Sequence, residues 1–407
     1  MSDQNIDVLV LNTAVVDFRG KFPFADKLVG KGGLAKCSTE DMPSYSQEQM
    51  AEWISNGAAT TGGFGNNAPW ISKAGLDVWA FLTLGSGKYK GFDAQGEFFN
   101  DKMRKEGVKL FSSRTNYDLP TGTTFINEPE GGERGGIAYF PNANNVLNFK
   151  ELDFVIKRYN PKIIYYMYSG LSEEGDARKG KALAELMDDC NKKGIITIAD
   201  SHTLTGDVKG VIDSGKHVKE YELLKPLLPK LDLFFTSSDE AKMIANTFGF
   251  NSFYPAISKQ KEKFLEDLTR WTDYVSNPSK KNTRTRIFGI TVKDGVYATL
   301  YTSEGGWTEP FKVESKFLNN QNVDLVGAGD TFRAGVLTYL AKNIEDFKKG
   351  KVHNSPMQMG NLFAALHVNS PLQDRTCYAR PYNTMLEIVN SGKRYSTIEG
   401  LQKDLNK

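Results

Sequence analysis

Cysteine is scarce: Cys37, Cys190 and Cys377 are the only three in 407 residues. Odd in number and far apart, they offer neither a disulfide framework nor paired metal ligands, and they fit a reducing, cytoplasmic setting. Histidine is nearly as rare. His202, His217, His353 and His367 stand singly, none at the spacing of a metal site. No apolar run approaches the ~18 residues needed to cross a bilayer. The opening residues, Met1-Ser2-Asp3-Gln4-Asn5, carry no apolar signal core. Neither sign of charge is in excess: 51 Lys and Arg against 49 Asp and Glu leave +2. That balance points to neither nucleic acid nor an acidic membrane as a partner. Basic residues gather at 259–263 and 280–286 among polar neighbours, and read as solvated loops. No internal repeat is present.

What the chain does have is a regular alternation of element types. Short apolar runs at 7–11, 77–83, 163–168, 194–199, 231–235 and 287–292 read as strands. Amphipathic stretches at 95–106, 179–193, 239–248, 327–342 and 358–368 read as helices. Strands alternating with helices predict an α/β fold with a mainly parallel central sheet and helices on both faces. Two stretches interrupt the alternation. Residues 18–58 are mixed, with a helix expected near 47–54. Segments 122–126 and 136–140 read as a hairpin whose turn is Glu130-Gly131-Gly132-Glu133. Residues 391–407 are polar, a surface helix or loose tail.

Two glycine turns carry the chemistry. Gly327-Ala328-Gly329-Asp330 opens the amphipathic helix at 327–342. Glycines let backbone N–H groups converge, and a helix start adds unpaired donors with partial positive charge. Such a place suits a phosphate. A carboxylate beside it can take the proton of an attacking hydroxyl, which together suggests phosphoryl transfer to an alcohol. The earlier turn, Gly62-Gly63-Phe64-Gly65-Asn66-Asn67, also leads into a helix. Its glycines allow close approach to a polar ligand, and Asn67 supplies donors and acceptors. Asp17 follows the first strand, where a ligand crevice opens, and a carboxylate can accept from two sugar hydroxyls.

On these residues the chain resembles the ribokinase-like, or pfkB, carbohydrate kinases. Asp324-Leu325-Val326-Gly327-Ala328-Gly329-Asp330-Thr331-Phe332 is similar to the family's second signature, and Gly62 to Ala68 to its first. Further echoes are Pro120 to Ile126, Gly132-Glu133-Arg134, Asn142-Ala143-Asn144 and Ala199-Asp200. The resemblance spans roughly Asp7 to Pro381. It implies a three-layer α/β/α core (1–17, 59–118 and 143–390), with excursions 18–58 and 119–142 forming a small β-sheet lid. It implies ATP as donor and magnesium bridging its phosphates. Asp330 would be the general base, and the N–H groups of Gly327, Ala328 and Gly329 the anion hole. Asp17, Gly62, Gly63 and Asn67 would hold the acceptor. On the nucleotide side stand Ser237-Ser238-Asp239-Glu240, where the family often shows Asn-x-x-Glu, and Thr291-Val292-Lys293, where Thr-x-Gly is usual. Glu240 would meet magnesium through water. Many members also use potassium, and Asp324 and Val326 fall where two of its ligands would come from. Lid strands can pair between subunits in the family, so a homodimer is compatible.

The preferred acceptor is a sugar or sugar acid. A nucleoside is the alternative, since Phe18, Phe22, Phe24, Phe64 and Trp70 offer aromatic surface. A sugar phosphate is disfavoured because no arginine cluster lies near the substrate motifs. A kinase-like protein that binds without catalysing is the reading of another class, motivated by Ser237 and Lys293. Gly63 to Ala68 also satisfies a loose dinucleotide fingerprint, but 48–59 reads as helical or irregular where a strand is required. Gly85-Ser86-Gly87-Lys88 lacks the upstream glycine of a P-loop.

Overall fold

Residues 6–87, 91–111, 114–116, 118–127, 135–276, 283–318 and 324–407 are described by the computed structural model. Runs such as Val8–Leu11 and Ile163–Ser169 are buried along their whole length, as strands covered on both faces must be. Alternate residues go to opposite sides. Val8, Val10, Ile163 and Tyr165 join one hydrophobic core, while Leu9, Leu11, Ile164 and Tyr166 join another. The ten-stranded sheet runs Lys109–Leu110, Val78–Phe81, Val8–Leu11, Ile163–Ser169, Ile196–Ser201, Leu233–Ser237, Arg286–Val292, all parallel. Gly295–Thr302 adds antiparallel and pairs in turn with Gly306–Trp307 and Phe311–Glu314. Strand order reverses direction at Val8–Leu11, which opens a crevice at its carboxyl end. No helix among the described residues is long and apolar enough to cross a membrane.

A second sheet of five strands lies over that crevice: Leu34–Lys36, Ile137–Phe140, Gly122–Asn127, Ala14–Gly20, Ala59–Gly63. It therefore also draws on 14–17 and 59–63, which lie outside the excursions 18–58 and 119–142. The chain leaves the large sheet through Asn12 and Thr13, both at positive φ (66° and 48°), where non-glycine residues are uncommon. Asn12 and Thr13 are held there by bonds to the carbonyl of Met167, at 3.3 and 2.9 Å. Asn144 returns both backbone bonds of Ala14 like a strand neighbour, at 3.1 and 2.9 Å. The small sheet is two-faced. Phe18 and Phe125 stack away from the crevice, beside Phe22 and Trp53, while Val15, Asp17, Thr124 and Ile126 face it.

Helices Ala328–Lys342 and Ser355–Val368 pack face to face through two glycines. A Cβ on Gly335 would lie 2.4 Å from the carbonyl of Met359, and one on Gly360 2.7 Å from the Phe332 ring. The basic stretch at 259–263 is not a loop, and of the stretch at 280–286 residues 280–282 lie outside the described residues. Residues 259–263 begin the helix Gln260–Val275. Arg286 is fully buried and donates to the carbonyls of Leu231 and Leu228, at 2.9 and 2.7 Å. The tail at 391–407 is docked: the helix Ile398–Leu405 buries Leu401 and Leu405, and Tyr395 stacks on Phe317. The turn 130–133, the echo at 132–134 and Lys88 lie outside the described residues.

Candidate active site

Asp330 sits in the first turn of Ala328–Lys342, buried where the two sheets meet. Its Oδ1 accepts from the Tyr168 hydroxyl at 2.5 Å, and its Oδ2 from Asn66 Nδ2 at 3.1 Å. Arg333 Nη1 lies 3.5 Å from Oδ1, one helical turn on. Arg333 Nε is 3.0 Å from Asp200 Oδ2, and its Nη2 donates to the carbonyl of Phe235 at 3.0 Å. Burial works against the Arg333 charge, but the carboxylates of Asp200 and Asp330 outweigh it and hold the guanidinium protonated. Burial lifts Asp200 to about 7 despite the facing Arg333. Burial, and next the Asp330 charge, raise Tyr168 well above the ordinary phenol range, so it stays a donor. Tyr168 reaches Asp330 from positive φ (62°), at an irregularity in its strand, a costly conformation for an aromatic residue.

Two cavities share Asp330. The first lies under the small sheet and is lined by Asp17, Gly63, Asn66, Thr124 and Tyr139 together with Tyr168, His202, Gly327 and Asp330. Asp17 is buried and accepts from the Thr124 hydroxyl. Desolvation raises its carboxyl to about 6, against the lowering effect of the Thr124 bond. Gly62 gives Asp17 its room, since a Cβ there would fall 2.4 Å from Asp17 Oδ2. Gly63 (φ 57°) brings its backbone against Thr13. Asn67 is not part of the lining: it is fully buried, with Nδ2 on Met167 Sδ at 2.9 Å. The short helical turn Phe64–Asn66 rotates Asn66 toward Asp330 in its stead. Phe18, Phe22, Phe24, Phe64 and Trp70 do not line this cavity either; they pack in the core.

The second cavity is a groove along the strand ends beyond Asp330. Ser237, Asp239, Glu240, Thr291, Gly329, Arg333 and Lys31 line it. Ser237 caps the helix Ser238–Phe248 by accepting from Glu240 N at 3.2 Å, and Glu240 Oε2 returns to Ser237 N at 2.9 Å. This reciprocal capping box accounts physically for a serine at the position. Burial raises the Glu240 carboxyl above its ordinary value. Lys293 is exposed in the turn after Arg286–Val292 and does not line the groove, whereas Thr291 does. Gly327 adopts φ 81° with no room for a Cβ, which would lie 2.7 Å from His367 Nε2. Ala328 donates its N–H to the carbonyl of Leu325 at 3.1 Å, so one of the three expected anion-hole donors serves the turn itself.

No group of three or more His, Cys, Asp or Glu side chains suited to a metal ion occurs among the described residues. A magnesium ion carried by a nucleotide would find Glu240 facing the groove, with Oε2 oriented by Ser237 and Thr236. A potassium ion fits less well. Asp324 Oδ2 already meets Arg19 Nη1 at 2.6 Å and Arg375 Nη2, and the carbonyl of Val326 accepts from His367 Nε2 at 3.0 Å. Arg19, Arg333 and Arg375 thus converge on one turn from positions 305, 3 and 51 residues from their carboxylates. Sequence reasoning missed Asn66, Tyr168, His202 and the arginines as site residues. Only Arg333, as a charged residue on the buried side of an apolar helix, gave a signal.

The profile of the pfkB family carbohydrate kinases matches residues 44–374. No curated protein matches the sequence. Solved structures share the fold. Adenosine kinase from Sinorhizobium meliloti aligns at 20% identity over 95% of this chain and 99% of its own, with a TM-score of 0.60. Fructokinase with bound ATP from Xylella fastidiosa aligns at 16% over 96% and 99%, TM-score 0.59. Adenosine kinase from Schistosoma mansoni in complex with 2-fluoroadenosine aligns at 13% over 89% and 95%, TM-score 0.61.

Proposed function

The chain belongs to the pfkB family of carbohydrate kinases, and from that premise we propose that it transfers the γ-phosphate of ATP to a hydroxyl of a small carbohydrate, a sugar or sugar acid. The observation that carries this reading is the shared wall: Asp330, Tyr168, His202 and Gly327 border both cavities, with an acceptor side under the small sheet and a donor side in the groove.

Asp330 takes the proton of the acceptor hydroxyl. The freed oxygen attacks the γ-phosphorus, the bond to the β-phosphate oxygen breaks, and ADP leaves. The turn at 327–330 offers the incoming phosphate its backbone N–H groups other than that of Ala328, and the positive end of Ala328–Lys342. Magnesium, when bound with ATP, supplies charge neutralisation across the phosphates. Ser237, Glu240 and Thr291 lie along the donor groove to receive them. Asp17 holds acceptor hydroxyls, with Gly62 and Gly63 letting the backbone approach. Asn66 takes over the part first given to Asn67 by reaching Asp330 itself. The small sheet excludes water, the competing acceptor.

Two features favour a carbohydrate. The acceptor side offers Asp17, Asn66, Thr124 and Tyr139 beside Val15, Leu34, Ile126, Ile137 and Leu171, and Phe18, Phe22, Phe24, Phe64 and Trp70 are taken up by the core. One feature favours a nucleoside instead: Tyr168 and His202 meet edge to face at 4.8 Å and present rings to both cavities. Incubation with MgATP and a panel of sugars, sugar acids and nucleosides, read as ADP release, decides between them. Ligand binding with no ADP release across the panel would point to a binding protein.

A further inference from the structure

Asp324, Val326, His367, Ser370 and Arg375 form a cluster behind the 327–330 turn that the reaction itself does not use. Sites for a monovalent ion are built from carbonyl and carboxylate oxygens that replace its water shell. Such oxygens gather here, but around a guanidinium. Arg375 Nη2 pairs with Asp324 Oδ2. Its Nη1 donates to the carbonyls of Ser370 and His367, at 3.1 and 3.4 Å. The two other oxygens a metal ion would want are also taken: Asp324 Oδ1 by Val326 N–H at 3.0 Å, and the Val326 carbonyl by His367 Nε2 at 3.0 Å. The second guanidinium, Arg19 from the small sheet, lies on the same carboxylate and would repel an added cation.

We propose that Arg375 is a tethered cation: its side chain fills the place of a monovalent ion behind the phosphate-binding turn, so this protein keeps that turn in shape without potassium. Arg375 joins the segment after Ser355–Val368 to the residue that begins the turn, and Asp324 in turn bonds Val326 directly before Gly327. Removing the guanidinium leaves Asp324 held by Arg19 and the Val326 N–H alone, unties it from the segment after Ser355–Val368, and so loosens the loop that faces the phosphate. His367 Nε2 donates to the Val326 carbonyl at 3.0 Å as a fixed prop. Arg375 is a positioning residue, and its role as stated rests on the 327–330 turn being the phosphate site.

Thermal unfolding and MgATP binding, each measured in potassium, sodium and choline chloride at one ionic strength, test this. The wild type should show one unfolding midpoint and one ATP affinity, within twofold, in all three salts. Arg375→Gln should bind ATP at least fivefold more weakly in choline. In Arg19→Gln/Arg375→Gln, where the repelling guanidinium is gone as well, potassium should raise both the midpoint and the affinity relative to choline, because Asp324 Oδ2 and the carbonyls of Ser370 and His367 are then vacated. A wild-type midpoint or affinity that depends specifically on potassium overturns the proposal, and that arm stands even where the variant fails to fold. An Arg375→Gln protein with unchanged ATP affinity in choline overturns it as well. Loss of ATP binding by the wild type in every salt would count against the kinase reading instead, while the nucleotide-free midpoint still decides the tethered cation.

Discussion

The hydroxyl of Tyr168 lies 2.5 Å from Oδ1 of Asp330, across 162 residues of chain. Tyr168 pays for this position with a left-handed backbone at the end of a central strand. The contact aims the Asp330 carboxylate, leaving Asn66 on the other oxygen. Tyr168→Phe removes a hydrogen bond to a charged group, an interaction worth about 1.5 kcal/mol. We expect kcat to fall roughly tenfold by that arithmetic, with little change in the KM for ATP. Steady-state kinetics checks it; equal losses in kcat and ATP affinity would indicate a distorted groove instead.

Asp17 predicts a pH dependence. Its carboxyl ionises near 6 in the folded protein, above the ordinary value of 3.8. Only the ionised form accepts from two acceptor hydroxyls, so the acceptor KM should rise as pH falls through about 6. Asp17→Asn should bind the acceptor poorly at every pH and lose that inflection. The stability sign follows from linkage. A carboxyl whose folded value is raised favours folding while protonated, and that contribution is lost as pH rises through the folded value. Replacing Asp17 by Asn should therefore stabilise the protein at pH 8 by on the order of 1–3 kcal/mol, and much less at pH 4. Urea midpoints at the two pH values measure the difference.

Gly327 is held at φ 81° between His367 and Asn66. Gly327→Ala strains the backbone by about 1 kcal/mol and forces its neighbours apart. The expected result is weaker ATP binding with a modest drop in unfolding midpoint, seen by calorimetry.

Arg333 separates two buried carboxylates, Asp200 and Asp330. Arg333→Met leaves both without their cation, a change typically costing about 3–5 kcal/mol. Chemical denaturation should show that loss. A second change, Asp200→Asn, should restore part of it, because one of the stranded charges is then gone.

The parallel sheet was legible because Val8–Leu11, Ile163–Ser169 and their neighbours are continuous apolar runs, the pattern of strands buried on both faces. The two glycine turns were legible because backbone constraint shows directly as glycine. Ser237–Glu240 reads as a nucleotide-side motif, and the structure adds that its spacing also makes a capping box. Other features left no local mark. The chain enters the small sheet at Ala14, not Phe18, because Asn12 and Thr13 take positive φ, which non-glycine residues do not advertise. A strand does precede Gly63, at Ala59–Gly63, but it belongs to the small sheet and runs antiparallel to Ala14–Gly20, so the dinucleotide reading fails for topology and not for want of a strand. Asn66 and Asn67 are adjacent and chemically identical, so only the turn at Phe64–Asn66 tells which one reaches Asp330. Arg286 reads as part of a solvated loop, and Arg375 draws no reading, because their partners are backbone carbonyls and a distant carboxylate.

The account rests on Asp330 as the proton acceptor between the two cavities. The most direct measurement compares turnover and MgATP affinity in the wild type and in Asp330→Asn, which keeps the shape but turns one accepting oxygen into a donor. The expected result is a kcat lower by ~10²–10⁴, the range that base catalysis supplies, with ATP affinity within about threefold of the wild type, under ~1 kcal/mol. Near-normal turnover in that variant, with the acceptor saturating, would contradict it.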